Sequence, residues 1–325
     1  MSDERAFLKA VRARPDDRTA RLVYADWLQD RDDSRAELIR IEEEVSAAPI
    51  YADRYWELKP RRRALLASTE SKWLKQMGYG GTDYRPVFAD VPDGWKERWR
   101  LLREFAERWY QVPMPDVGGP LRPVPPRLID WYRQTIDASM SDPKVSAGLP
   151  PSLREWMLFT RDLELAVPGF DSDPENRQIL HDSGAGLEFF LQAGNRECCF
   201  IRNEHRHEPD PPVWWYHPAL SRQPEDTQRC IAPRLTTLAL DYLLTRHGMG
   251  FGEGPSQDKL TKTLARRLAN CFPVCGRFDE AHLFERPNAI AYWTPGSHFA
   301  SHRPCLQIVA RSRKLFDQIG EALFP

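Results

Sequence analysis

The sequence predicts an α+β protein in two parts: an N-terminal helical bundle, then an α+β domain whose mainly antiparallel sheet is flanked by helices. Three observations carry that reading. Apolar residues recur at helical spacing through residues 3–76. Beyond residue 186 short apolar runs come in pairs, the first around Gly194-Asn195, a dipeptide suited to a tight hairpin. Helical segments stand before, between and after the paired runs, as in α+β chains.

The first helix places Phe7, Leu8 and Val11 on one face and stops before Pro15. A second runs from about Arg18 to Arg31, with Leu22, Val23, Trp27 and Leu28 as its apolar stripe and Asp16 or Asp17 as its cap. A third starts after Asp33-Ser34 and buries Leu38, Ile39, Ile41 and Val45. The fourth spans about Ala52 to Lys75, with Tyr55, Leu58, Leu65, Leu66 and Leu74 inward. Short connections make successive helices antiparallel neighbours. Residues 1–78 are thus one domain, the Gly- and Pro-punctuated stretch 79–93 a linker, and 94–325 a second domain.

In the second domain helices are expected at Trp95–Tyr110, around Arg127–Ser139 and at Pro151–Thr160, where Pro150-Pro151 suits a first turn. Leu187–Ala193 and Arg196–Arg202 form the hairpin, and Val213–His217, entered through Pro211-Pro212, a further strand. Helices follow at Leu235–Arg246 and from Ser256 to Asn270. The tail offers strands at His282–Phe284, Ala289–Trp293 and Leu306–Ala310, then a helix capped by Ser312.

With 46 basic and 47 acidic residues among 325, the net charge is −1, and residues 1–78 are balanced too, 16 Lys/Arg against 15 Asp/Glu. Nucleic-acid binding through a basic stripe is therefore not expected. No apolar run nears the ~20 residues of a membrane span, and the acidic start at Asp3-Glu4 has no apolar leader, so no membrane association and a cytoplasmic location are expected. The cysteines at 198, 199, 230, 271, 275 and 305 form no CxxC pair and are read as reduced thiols. Eleven Trp and 28 Pro suit a loop-rich interaction domain, though Trp also fills cores.

Chemistry-bearing motifs are few. His205 and His207 share one face of an extended segment and can supply two metal ligands, with His217 or a cysteine completing a site; an exposed loop is the simpler reading. Cys271 and Cys275 have the spacing of half a zinc site without a second half, and Cys198 or Cys199 has no base placed beside it. Phe170-Asp-Ser-Asp173 starts like a calcium loop but lacks its Gly and closing Glu. Gly248–Gly254 is glycine-dense without matching a phosphate loop. Lys59 and Arg61–Arg63 fit a solvated helix face. No catalytic residue, metal or cofactor is assigned.

Aromatic pairs are the better candidates. Trp214 and Trp215 are adjacent on one strand, so their side chains leave opposite faces, and the same holds for Tyr292 and Trp293. One member of each pair belongs to the core, and the other is either covered by a helix or exposed, where it is a candidate anchor for a protein partner. Trp214, Trp215, Tyr216, Tyr292, Trp293 and the neighbouring Asp210 are the candidate partner-binding residues.

Two resemblances sharpen this. Arg5–Lys9, Pro15–Asp17, Arg21-Leu-Val-Tyr-Ala-Asp-Trp-Leu28 and Arg35-Ala-Glu-Leu-Ile-Arg40 together resemble the repeat-companion domain common in planctomycete bacteria. That resemblance implies a modular, non-catalytic protein and a bacterial source. Within it Trp27 is read as core, and Asp26 either bonds a neighbouring helix end or belongs to a shared binding surface. Downstream, Phe105–Tyr110, Gly148-Leu-Pro-Pro-Ser-Leu-Arg-Glu-Trp156, Phe189 to Arg202 and above all Glu208-Pro-Asp-Pro-Pro-Val-Trp214 resemble the SUKH (SMI1/KNR4-like) superfamily. The hairpin departs from the family at Asn195-Arg-Glu-Cys-Cys199, where a glycine-containing run is usual.

The SUKH resemblance, over roughly residues 95–325, implies protein binding without catalysis: an immunity-type or regulatory adaptor whose partner is a toxin or other effector. Two alternatives stay open at this point. One is a metal-dependent hydrolase using the His/Cys residues, the other a scaffold that self-associates through its N-terminal bundle.

Overall fold

The computed structural model describes residues 3–15, 17–79, 85–110, 126–162, 180–182, 186–192, 197–216, 228–246, 252–253, 260–295 and 305–324. The chain divides into two units, Met1–Arg85 and Pro86–Pro325. Residues from Pro86 onward, inside the stretch read as a linker, thus belong to the second unit.

The first unit is α1 (Asp3–Ala13), α2 (Arg18–Gln29), α3 (Arg35–Ala47), α4 (Asp53–Ser68) and α5 (Ser71–Met77). Asp17 starts α2 by accepting from the amides of Thr19 and Ala20, two donors the first turn leaves without partners. The stripe of α2 is offset by one residue from the sequence reading: Tyr24, Ala25 and Leu28 are buried, whereas Val23 is 49% exposed. Leu38, Ile39, Ile41 and Val45 of α3 are buried as the periodicity requires.

The fourth expected helix is two. Ser68 and Thr69 turn their hydroxyls back onto the Leu65 carbonyl, and Thr69 takes extended backbone (ψ 142°), which ends α4 before Ser71 restarts the chain. That break lets Trp73 of α5 bury beside Tyr24, a placement that stabilises by roughly 2–3 kcal/mol for an aromatic side chain.

The second unit is α+β. Its helices are α6 (Trp95–Tyr110), α7 (Pro126–Ser141), α8 (Pro143–Ala147), α9 (Pro151–Asp162), α10 (Leu235–Arg246), α11 (Lys262–Cys271) and α12 (Arg313–Leu323). Among the described residues three of them are capped by the side chain just before the first turn: Asp142 on α8, Thr261 on α11 and Ser312 on α12. Ser256, expected to open α11, lies outside the described residues.

Among the described residues the strands form two antiparallel sheets rather than the one sheet expected. The first is a meander in chain order, β1 (His181–Asp182), β2 (Gly186–Gln192), β3 (Glu197–Arg202), β4 (Val213–Tyr216) and β5 (Arg229–Ala232). The second takes the order β6-β10-β9-β8-β7, with β6 (Gly252–Glu253), β7 (Val274–Phe278), β8 (Ala281–Arg286), β9 (Ala289–Thr294) and β10 (Cys305–Ala310). The β7–β8 and β8–β9 hairpins turn at Asp279 (φ 52°) and Asn288 (φ 63°), residue types that tolerate left-handed backbone.

Registers sort the second sheet into two apolar faces. Phe284, Ala291, Trp293, Leu306 and Ile308 form one core with Leu264 and Leu268 of α11 and Ile319 and Leu323 of α12. The opposite face carries Leu283, Glu285, Ile290, Tyr292 and Val309. There Phe278 of β7 meets Phe88, whose ring lies 5.3 Å from that of Phe105 on α6. A third aromatic group joins α6, α9 and α10 through Trp99, Trp156, Phe159 and Tyr242.

Candidate functional site

β4 carries the aromatic candidates. Its register sets Trp214 opposite Phe200 of β3 and Cys230 of β5, and Trp215 opposite Cys199 and Arg229. Trp214 therefore shares a face with Phe200 and Arg202, and Trp215 shares the other with Cys199 and Ile201. Both tryptophans are half-buried, with the indole nitrogen of each shielded from solvent.

Each indole carries a guanidinium. Arg202 stands 3.4 Å from the ring centroid of Trp214 and also donates to Gln228, while Arg229 lies 4.5 Å from the ring of Trp215. At that range the ring quadrupole attracts the cation, by about 0.5–1 kcal/mol at partly exposed sites. One four-residue strand thus presents two Trp–Arg pairs, one on each face. Tyr216 completes the backbone of β4, and its side chain lies outside the described residues.

The other candidates turn inward. Tyr292 is 2% exposed and Trp293 9%, because β9 lies mid-sheet with both faces covered. Of the two placements left open for the second residue of the pair, covered or exposed, the covered one holds, and neither side chain offers an exposed anchor. Asp210 has structural partners, its two carboxylate oxygens accepting from the amide and the hydroxyl of Thr236 at the start of α10. Burial nevertheless pushes its carboxyl above the usual range.

Asp210 also opens onto a polar cluster that no local motif marks. Arg98 of α6, 2% exposed, donates to Thr236, Thr237 and Asp279 and stacks 3.9 Å from the Phe278 ring. Burial holds this guanidinium below its ordinary pKa, against the pull of Asp279. Arg98 is one of four arginines in α6, with nothing local to set it apart, and its partners lie 138 to 181 residues away. The Pro209 carbonyl, beside Asp210, accepts from the Ser152 amide at the start of α9. The Glu208–Trp214 run thereby joins α9, α10 and the first sheet.

The remaining motifs are accounted for locally. His205 sits between Glu208 (2.6 Å) and Glu204 (3.4 Å), and His207 is exposed. Among the described residues no three His, Cys, Asp or Glu side chains gather as a metal would need. Cys199 is buried, Cys275 is exposed and Cys271 half-buried at the end of α11; burial pushes the thiols of Cys271 and Cys275 up, which disfavours thiolate. His217, Phe170–Asp173 and most of Gly248–Gly254 lie outside the described residues.

In the first unit the motif residues bond one another. Arg35 pairs with Asp33 and Glu4, Glu4 accepts from the Tyr24 hydroxyl, and that hydroxyl accepts from the Trp73 indole at 3.0 Å. Asp26, exposed, pairs with Arg40 in the middle of α3 at 2.7 Å, and not with a helix end. Trp27 is half-buried under the Arg31 guanidinium. Arg61 and Arg62 are engaged by Glu37 and Glu42, and Lys59 stands 4.2 Å from the Trp56 ring.

No protein-family model, curated protein or solved structure matches the chain.

Proposed function

We propose that this chain is a non-catalytic protein-binding protein, an immunity-type or regulatory adaptor, that recognises a protein partner through β3, β4 and β5 of its first sheet. The observation that carries the reading is the double Trp–Arg arrangement on β4. Trp and Arg are the side chains that most often dominate binding energy at interfaces, and here both indoles remain half-buried with their guanidinium partners already in place. Pre-placed side chains lose less rotamer freedom on association, which favours a tight complex over an area near 1,600 Å².

The repeat-companion and SUKH resemblances support the same reading. Their most specific residues, Tyr24 and Arg35 in one and Asp210 in the other, have intramolecular partners that hold the fold. Recognition is then left to neighbouring side chains such as Trp214. A cytoplasmic setting belongs to this proposal, resting on cysteines without a pairing pattern. No helix among the described residues is long and apolar enough to cross a membrane.

The test is affinity capture from host lysate with the full chain, comparing wild type with Trp214→Ala and with Arg202→Ala, which leaves the indole in place. A stoichiometric protein captured by wild type and weakened about 30-fold or more by either variant supports the assignment. Equal capture by all three proteins, or nucleic acid as the captured species, overturns it.

A further inference from the structure

Helices α3 and α4 of the first unit meet along a groove of about 530 Å³. Spacing sets what lines it. Glu37, Ile41 and Glu44 stand at i, i+4 and i+7 on one face of α3, and Arg54, Leu58 and Arg61 repeat that spacing on α4. The two helices run antiparallel, so Arg61 reaches Glu37 at 2.7 Å at one end and Arg54 reaches Glu44 at 2.8 Å at the other. Between these two rungs Ile41 and Leu58, with Ala36, form an apolar floor. Arg40 also lines the groove but turns to Asp26 of α2.

The rungs face water. The side chains of Arg54 and Glu44 are 55% and 44% exposed, and those of Arg61 and Glu37 57% and 43%. Exposed pairs of this kind contribute little to the fold. A guanidinium held by one carboxylate keeps further N–H donors to offer, and the carboxylate keeps lone pairs. Each rung can therefore bond a second rung of opposite order. Another copy of this chain carries that complement, because an acidic row beside a basic row is self-complementary, as an isologous two-fold contact requires. The pattern also selects the axis. A two-fold parallel to the helices lays α3 of one copy on α4 of the other, with Glu37 against Arg61, Glu44 against Arg54 and Ile41 against Leu58. A two-fold across the helices lays α3 on α3 and α4 on α4, which sets Glu37 against Glu44 and Arg54 against Arg61, like charges at both ends.

We propose that the α3–α4 groove is a self-association surface, which joins two copies of the chain about an axis parallel to these helices through Glu–Arg contacts on both sides of an apolar centre. The surface lies within the first unit and does not rest on the reading of β4. It gives the self-associating scaffold a definite face. With one apolar layer between exposed charges, the contact is of the small, salt-sensitive kind.

Sedimentation velocity of the full chain tests the proposal, with two charge-reversed variants beside wild type. Wild type should dimerise as its concentration rises, and salt at about 1 M should weaken the dimer about tenfold or more. Glu37→Arg with Glu44→Arg makes the face basic throughout, and Arg54→Glu with Arg61→Glu makes it acidic throughout, so each variant alone should stay monomeric. Mixed in equal amounts, the two should form a heterodimer, because every contact then joins opposite charges. A wild-type chain that is monomeric at every concentration overturns the proposal and leaves the groove to a different partner. So does a dimer that neither reversal weakens, or a pair of reversed variants, folded by circular dichroism, that do not associate when mixed. Should a reversed chain fail to fold, the salt response of wild type decides: a dimer that high salt leaves unchanged or tightens overturns the proposal as well.

Discussion

Asp210 caps a helix 26 residues farther along the chain: its carboxylate takes both the amide and the hydroxyl of Thr236, at 3.0 and 2.7 Å. A side-chain cap on an α-helix usually comes from the residue just before it, but α10 follows β5 by only Pro233 and Arg234, neither of which has a capping oxygen in its side chain. The Pro-Asp-Pro-Pro run supplies the acceptor instead, in a backbone stiffened by its prolines.

Asp210→Ala should therefore destabilise the second unit by about 1–2 kcal/mol, the usual cost of a lost N-cap, with Thr236→Val giving a similar loss. The double variant should lose less than the sum of the two, because they share the hydroxyl bond, although Thr236→Val also takes an acceptor from Arg98 and leaves the capped amide in place. Urea unfolding of the set checks this. Additive losses would show that the hydroxyl bond between the two side chains contributes nothing.

Arg98 and Asp279 form a pair in which one partner is nearly inaccessible to water. Arg98→Met keeps most of the volume over Phe278 but leaves Asp279 with only Thr237 and a looser Arg234 contact at 3.7 Å. A loss of about 3 kcal/mol is expected in chemical denaturation. Adding Asp279→Asn, which retains the left-handed backbone preference at that turn, should recover part of the loss.

The α+β class and many helix bounds were legible because period and punctuation agree there: α6 and α10 have the expected ends, Asp17 caps α2 and Ser312 caps α12. What was not legible is non-local. Val23 and Tyr24 are both apolar enough for a core, and only the packing of α1 and α5 selects Tyr24. β5 and β7 are short, mixed segments of four and five residues, too brief for a period to stand out. Likewise Tyr292 and Trp293 could be sorted only after β9 was found mid-sheet, and the Arg98 cluster draws on α6, α10 and a hairpin turn far apart in the chain.

Burial raises the Tyr24 hydroxyl to about 12, with the Glu4 carboxylate adding to the effect. The folded state therefore holds this proton where the unfolded chain, with its ordinary value near 10, has lost it. Stability from Tyr24 is complete below about pH 10 and declines from there toward pH 12. Tyr24→Phe should abolish that part of the alkaline slope. At neutral pH it should cost about 1–3 kcal/mol, since the Trp73 indole loses its acceptor. Melting temperatures between pH 8 and 11 check both statements.

Acid should act on the two units in opposite senses. Arg35 holds the Asp33 carboxyl below its ordinary value of 3.8, so that stability is present above this pH and is lost as pH falls further. Asp210 and Glu285 are raised by burial, so their contribution improves as pH drops from neutral toward their ordinary values. Calorimetry from pH 7 to 3 should show Glu285→Gln flattening the acid response of the second unit, and Asp33→Asn that of the first.

The claim that the first sheet recognises a protein is tested most directly by hydrogen–deuterium exchange of the full chain with and without its captured partner. Protection concentrated in β3, β4 and β5, and absent when Trp214→Ala is mixed with the same partner, is the expected result. A bound partner that leaves those strands unprotected would contradict the account.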